Sequence, residues 1–100
     1  MHPTTHAEVA VLVLNWNGRS LLETFLPSWV QHTPAGADLI IVDNGSTDDS
    51  VAFVREHYPE VRLHLFTENY GFAAGYNKAI DELDYKTVVL LNSDVELSAG

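Results

Sequence analysis

Leu39-Ile-Ile-Val-Asp-Asn-Gly-Ser-Thr-Asp48 decides the fold. Four successive large aliphatics without polar alternation read as a strand covered on both faces, because a solvated face would show a polar residue at every second position. Asp43 ends the run, and Asn44-Gly-Ser-Thr47 turns the chain. Ser46 or Thr47 is expected to cap a helix that runs to about Tyr58, with Asp48 and Asp49 in its first turn facing the positive end of the dipole. A strand buried on both faces and followed at once by a helix is the unit from which parallel sheets are built.

The same grammar extends outward. Val9-Ala-Val-Leu-Val-Leu14 is apolar without alternation and is broken by Asn15-Trp-Asn-Gly18. From Arg19 to about His32, Leu21, Leu22, Phe25, Leu26, Trp29 and Val30 recur at helical spacing. Pro27 lies inside that pattern and should kink or split the helix, since it removes a hydrogen bond and crowds the preceding turn. Val51, Val54 and Tyr58 form the stripe of the second helix, which Pro59 stops. Val61 to Thr67 reads as a third strand and Ala73 to Leu83 as a third helix, with Ala73, Asn77, Ile80 and Leu83 or Asp84 near one face. Val88-Val-Leu-Leu91 is a fourth buried strand.

The order β-α-β-α-β-α-β predicts an α/β fold: a Rossmann-like three-layer α/β/α arrangement with a mainly parallel sheet and right-handed crossovers. Residues 1–7 are polar, include Pro3, and are expected to form a disordered tail; residues 8–100 form the domain.

Composition narrows the function. Fourteen acidic residues against five basic ones give a net charge of −9, which argues against a nucleic-acid partner or an anionic membrane surface. The absence of cysteine excludes a disulfide framework, thiol catalysis and Cys-ligated zinc. The five histidines show no paired ligand spacing, and His32, His57 and His64 read as exposed. The N-terminus has no charged-then-apolar leader plan, which points to a cytoplasmic chain.

In open parallel sheets the ligand sits beyond the carboxyl ends of the strands, where the strand order reverses. That rule selects Asn15 to Gly18, Asp43 to Asp48, Thr67 to Gly71 and Asn92 to Glu96, and polar residues cluster in all of these stretches. The Asp43 carboxylate can accept hydrogen bonds from a base or ribose, and Asp43-Asn-Gly-Ser46 is equally the composition of an Asx-turn. Asn92-x-Asp94-x-Glu96 places three oxygen-bearing side chains at alternating positions, so an extended segment turns all three toward one hard cation or simply toward solvent. The turn Asn69-Tyr-Gly-Phe-Ala-Ala-Gly75 lets backbone amides approach a phosphate or ribose closely. Trp29 belongs in the core, whereas Trp16 lies in a ligand-side loop where it can stack. Asn15-Trp-Asn-Gly-Arg-Ser20 replaces the glycine fingerprint of a dinucleotide-binding domain. Asn15, Trp16 and Asn17 also lack the acids with which a phospho-accepting receiver holds magnesium, and no Gly-x-Ser-x-Gly elbow occurs.

Taken together, four ordered motifs resemble the N-terminal half of a family 2 glycosyltransferase with the GT-A fold. They are Leu14-Asn-Trp-Asn-Gly18, Ile41-Val-Asp-Asn-Gly-Ser-Thr-Asp-Asp-Ser50, Asn69-Tyr-Gly-Phe-Ala-Ala-Gly-Tyr-Asn-Lys-Ala79 and Leu90-Leu-Asn-Ser-Asp-Val-Glu96. The Asn-Trp-Asn-Gly and Leu-Asn-Ser-Asp variants look most like the branch resembling rhamnosyltransferases of bacterial cell-surface polysaccharide biosynthesis. The resemblance implies a hexosyltransferase that moves a sugar, with inversion, from a UDP-, GDP- or dTDP-sugar to a glycan or lipid-linked acceptor. Asn15, Trp16 and Asn17 of the first loop and Asp43 would then hold the nucleobase, Asn77 and the Gly71 to Gly75 turn would lie near the ribose and diphosphate, and Asn44, Asn92 and Ser93 would also bind the nucleotide-sugar. Asp94 would be the principal ligand of Mg2+ or Mn2+, with Asn92 in place of the family's first aspartate. Tyr76 stands where many members carry arginine, so one positive substrate contact is expected to be missing.

The family's general base lies in its second half and is expected beyond Gly100, so this chain alone is expected to bind donor without catalysing transfer. The full-length enzyme would work in the cytoplasm, at the inner face of the membrane. An apolar edge left by the fourth strand is expected to drive homo-oligomer formation. The alternative is a noncatalytic nucleotide-binding or interaction module.

Overall fold

The computed structural model describes residues 8–91. The expected tail and the proposed ligands Asn92, Ser93 and Asp94 lie outside the described residues. The elements alternate as the apolar runs require: β1 (Val9–Asn15), α1 (Arg19–His32), β2 (Ala37–Asn44), α2 (Ser50–His57), β3 (Arg62–Phe66), α3 (Phe72–Glu82) and β4 (Thr87–Leu91). The four strands form one parallel sheet in the order β3-β2-β1-β4. The chain therefore steps outward from β1 to β3, then crosses back to the far side of β1. Because a right-handed crossover that reverses direction must pass over the opposite face, α3 lies across the sheet from α1 and α2.

Two cores fill the three layers. Val11, Val13, Leu39, Ile41 and Val61 pack against Leu22, Leu26 and Trp29 of α1 and against Phe53 and Val54 of α2. The alternate strand residues Ala10, Leu12, Ile40, Val42 and Phe66 pack against Tyr76, Ala79 and Leu83 of α3 and its end. Both sets come from the same strands, which is why β1 and β2 carry no polar alternation until their carboxyl ends.

Several local expectations are corrected. Pro27 does not split α1, which runs unbroken for 14 residues. Its ring is on the exposed face, where water can hydrate the carbonyl that loses its amide partner. The second helix starts at Ser50 rather than near Ser46, and no acidic residue occupies its first turn. Ser46 is drawn instead into hydrogen bonds with the ends of β1 and β2. The buried stripe of α3 is Gly75, Tyr76 and Ala79, one step round from the expected face, so Ala73 and Asn77 are exposed. Phe53, not Val51, is buried beside Val54 in the apolar stripe of α2. His64 is half-buried and bonded to Glu82 at 2.7 Å.

Pro27 tests the energetics of α1. Pro27→Ala restores an amide donor on an exposed face, a gain of about 3 kcal/mol offset by about 1 kcal/mol of unfolded-state freedom. A urea midpoint raised by the equivalent of about 2 kcal/mol is expected; an unchanged or lower midpoint contradicts this account.

Candidate functional site

The register of β1 on β2 builds the site. Val9 pairs with Ala37 and the ladder runs to Asn15 opposite Asp43, so the first polar residue of each strand arrives at the same rung. Both are buried, at 1% and 4% exposure. A carboxylate removed from water needs donors, and Asp43 has three. Its Oδ1 accepts from Asn15 Nδ2 at 3.0 Å and from the Ser46 hydroxyl at 2.7 Å. Its Oδ2 accepts from the Ser46 amide at 2.9 Å. Asn15 Nδ2 also reaches Ser46 Oγ at 3.2 Å. Asn15 Oδ1, by contrast, is buried with no hydrogen-bond partner among the described protein atoms.

The next residues lock the two loops together. Asn17 adopts a left-handed conformation, φ 51°, that asparagine tolerates better than most residues. Its amide donates to Ser46 Oγ at 2.8 Å, and its Oδ1 accepts the Thr47 and Asp48 amides at 2.7 and 3.1 Å. Trp16, held between the buried Asn15 and the bonded Asn17, is 55% exposed at the rim. Arg19 closes the outer side: its amide donates to Asp48, its guanidinium pairs with Asp49, and its charge sits 4.3 Å from the centroid of the Phe53 ring.

Asp48 accepts the amide and hydroxyl of Ser50 as well as the Arg19 amide. Partial burial pushes its carboxyl up, but those hydrogen bonds outweigh it and hold the pKa below the ordinary aspartate value.

Asn44 organises the third loop. Its Nδ2 donates to Asn69 Oδ1 at 3.1 Å and to the Gly71 carbonyl at 3.0 Å, while its Oδ1 accepts the Tyr70 amide at 2.9 Å. Gly71, at φ 86°, opens α3, and no acidic residue occupies that helix's first turn. Gly45 must be glycine on two counts: its φ is +77°, and a Cβ there would lie 2.6 Å from the Glu68 carbonyl carbon. A Cβ on Gly18 would meet Asn15 Oδ1 at 2.5 Å.

Of the residues expected at the site, Asn15, Trp16, Asn17, Asp43, Asn44 and Gly71 are gathered at one end of the sheet. Asn77 is exposed on α3, and no described hydrogen bond links it to them. Sequence reasoning assigned no site role to Ser46, Arg19 or Asn69. The signal was present for Ser46, since Asp43-Asn-Gly-Ser46 has turn composition and the Asp43 carboxylate takes the Ser46 amide three residues on, one beyond the reach of a simple Asx-turn. Among the described residues no group of three or more His, Cys, Asp or Glu can hold a metal ion. A cavity of about 660 Å³ lies at the opposite, amino end of the strands, lined by residues including Val30, Pro34, Asp38, Pro59 and Arg62. The strand-end rule and the polar convergence favour the carboxyl end over that cavity.

A parallel sheet with reversed strand order and polar side chains massed at its carboxyl ends defines an open, doubly wound α/β protein whose ligand-side loops lie at that end. The model for glycosyl transferase family 2 matches residues 10–100, and the chain belongs to that family. It is 30% identical over 93 residues to the uncharacterized glycosyltransferase YibD of Escherichia coli, covering 90% of this chain and 27% of that protein. It is 28% identical over 101 residues to the N-acetylglucosaminyl-diphospho-decaprenol L-rhamnosyltransferase of Mycobacterium tuberculosis, covering 90% and 33%. Among solved structures it superposes on the mannosyltransferase PcManGT from Pyrobaculum calidifontis, in complex with GDP-Man and Mn2+, with a TM-score of 0.75 and 28% identity. That match covers 96% of this chain and 30% of the other. The S. aureus TarS fragment 1–349 in complex with UDP-GlcNAc, at 22% identity and TM-score 0.71, shares the fold; here the match covers 87% of this chain and 26% of the other. The fold is thus that of the GT-A glycosyltransferases. The chain spans about a third or less of the relatives it matches. No helix of the described residues is long and apolar enough to cross a membrane.

Two outcomes test this geometry. Gly45→Ala combines a disfavoured φ with a backbone clash and is expected to cost well over 1 kcal/mol, read from chemical denaturation; a neutral result contradicts the loop packing. Because the pKa of Asp48 is lowered on folding, its stabilising contribution is complete above the unfolded value and fades as pH falls through the folded one. Asp48→Asn is therefore expected to flatten the acid limb of stability below about pH 4. An unaltered acid limb in the variant would show that Asp48 does not carry this linkage.

Proposed function

We propose that this chain is the donor-binding half of an inverting hexosyltransferase that moves a sugar from a UDP-, GDP- or dTDP-sugar to a glycan or lipid-linked acceptor. The observation that carries the reading is the Asn15–Asp43–Ser46 cluster at the strand ends, beside the β1–β4 crossing point. It builds a polar wall beside an exposed aromatic, Trp16. A nucleobase presents a flat apolar face, which suits that ring. The acid-free first turn of α3 leaves amides for the diphosphate in a chain that is otherwise strongly acidic.

In this reading Asp94 holds Mg2+ or Mn2+, and Asn92 and Ser93 belong to the nucleotide-sugar site. When bound, such an ion neutralises charge on the departing diphosphate. Asn77 would reach the donor only from the outer side of α3. The part of the reaction that these residues carry in this reading is donor binding. The full-length enzyme would act in the cytoplasm at the inner face of the membrane.

Calorimetric titration with GDP, UDP and dTDP, with and without Mn2+, tests the assignment. One nucleotide is expected to bind in a metal-dependent manner, with the metal dependence lost in Asp94→Ala. No binding of any of them would overturn it.

The sheet edge supports a second copy as partner. Val89 and Leu90 of the edge strand β4 are 45% and 50% exposed and point to opposite faces. Light scattering is expected to show a dimer or higher oligomer, and a monomer across a wide concentration range contradicts that association.

A further inference from the structure

α3 lies unusually close to the strand ends. A Cβ on Gly75 would stand 3.0 Å from Asn44 Nδ2 and 3.2 Å from Leu14 Cδ1, so the glycine lets the helix settle onto the last rungs of β1 and β2. That approach delivers the next residue, Tyr76, into the seam. Tyr76 is 3% exposed, and its ring meets Phe72 edge-on at 5.1 Å between centroids. Its hydroxyl accepts the Leu14 amide at 3.1 Å and donates to the Leu91 carbonyl at 2.8 Å. The ladder between β1 and β4 runs to Val13 opposite Leu91, so the phenol bridges the two strands at the last described rung. These are the strands between which the sheet order reverses.

One hydroxyl therefore ties α3, β1 and β4 together at the crevice, and the residue it grips immediately precedes Asn15. We propose that Tyr76 is a positioning residue for nucleotide binding. Its hydroxyl fixes the end of β1 against β4, and with it the buried Asn15 amide that clamps Asp43. The inference rests on the donor-site reading above. It also assigns this side chain a different task from a substrate contact: the phenol is turned into the sheet backbone, away from solvent.

A purely structural hydroxyl would cost stability when removed and leave affinity alone. Tyr85 supplies the control. Its hydroxyl is likewise bonded twice, to Asp38 at 2.6 Å and Arg62 at 2.6 Å, but these residues lie at the amino ends of the strands. Tyr76→Phe and Tyr85→Phe are each to be titrated with GDP, UDP and dTDP in the presence of Mn2+, at a temperature where urea melts show both folded. Tyr76→Phe is expected to weaken the nucleotide that the wild type binds by about five- to tenfold, the worth of one to one and a half hydrogen-bond equivalents. Tyr85→Phe is expected to bind as the wild type does.

Hydrogen exchange on the unmutated chain gives a reading that needs no variant: bound nucleotide should slow exchange at the Leu14 amide. Equal affinities for wild type and Tyr76→Phe, equal losses in both variants, or an indifferent Leu14 amide would each overturn the role of Tyr76 while leaving the donor site standing. A wild-type chain that binds none of the three nucleotides overturns the donor-site reading and this role together.

Discussion

A carboxylate buried at the end of β2 sets the terms for the rest of the ligand-side architecture. A carboxylate at 4% exposure needs donors, and those of Asp43 come from one loop, through Ser46, and from Asn15 of the neighbouring strand. Asn15 is available because the parallel register brings it to the same rung. Ser46 is available because Gly45, with positive φ, folds the chain back within three residues. Satisfying the charge thus fixes the β1–α1 and β2–α2 loops relative to the sheet. Asn17 and Arg19 then extend the lock outward to Thr47, Asp48 and Asp49. Removing one member of such a buried set leaves the others unpaired, so the cluster behaves as a unit.

That constraint explains why the helix after β2 begins late. An isolated Ser46 or Thr47 would serve as an N-cap, worth about 1 kcal/mol. The buried carboxylate makes a stronger demand on Ser46 because a charge-assisted hydrogen bond is worth more than a neutral one. The loop therefore stays open to residue 49, and Asp48 turns back to bind Ser50 and Arg19 instead of facing a dipole. The same competition moves the functional wall forward into the space beyond the strands, where a ligand of this fold class sits.

The architecture was legible because both faces of β1 and β2 are covered, and double coverage writes itself as unbroken aliphatic runs. Strand order could be anticipated only as a rule, since nothing in Val88-Val-Leu-Leu91 says that this strand pairs with β1 rather than β3. At the site, Asp43, Asn15 and Asn17 were legible from their place after apolar runs. The face of α3 was misjudged by one step because Ala73, Gly75 and Ala79 are too small to give a sharp apolar stripe. Packing distance decided it: Gly75 admits Leu14 and Asn44, and Tyr76 follows into the seam. The tyrosine's task was invisible in the sequence, since its partners are backbone groups of two strands remote in the chain.

In the proposed function a nucleoside diphosphate sits at the carboxyl end of the sheet. Amide chemical-shift mapping with the nucleotide that binds, in the presence of diamagnetic Mg2+, tests that most directly. Shifts are expected to concentrate at Asn15 to Gly18, Ser46 to Asp48 and Asn69 to Gly75. Shifts centred instead on the cavity among Val30, Ala35, Glu60 and Arg62, at the amino ends of the strands, would contradict it.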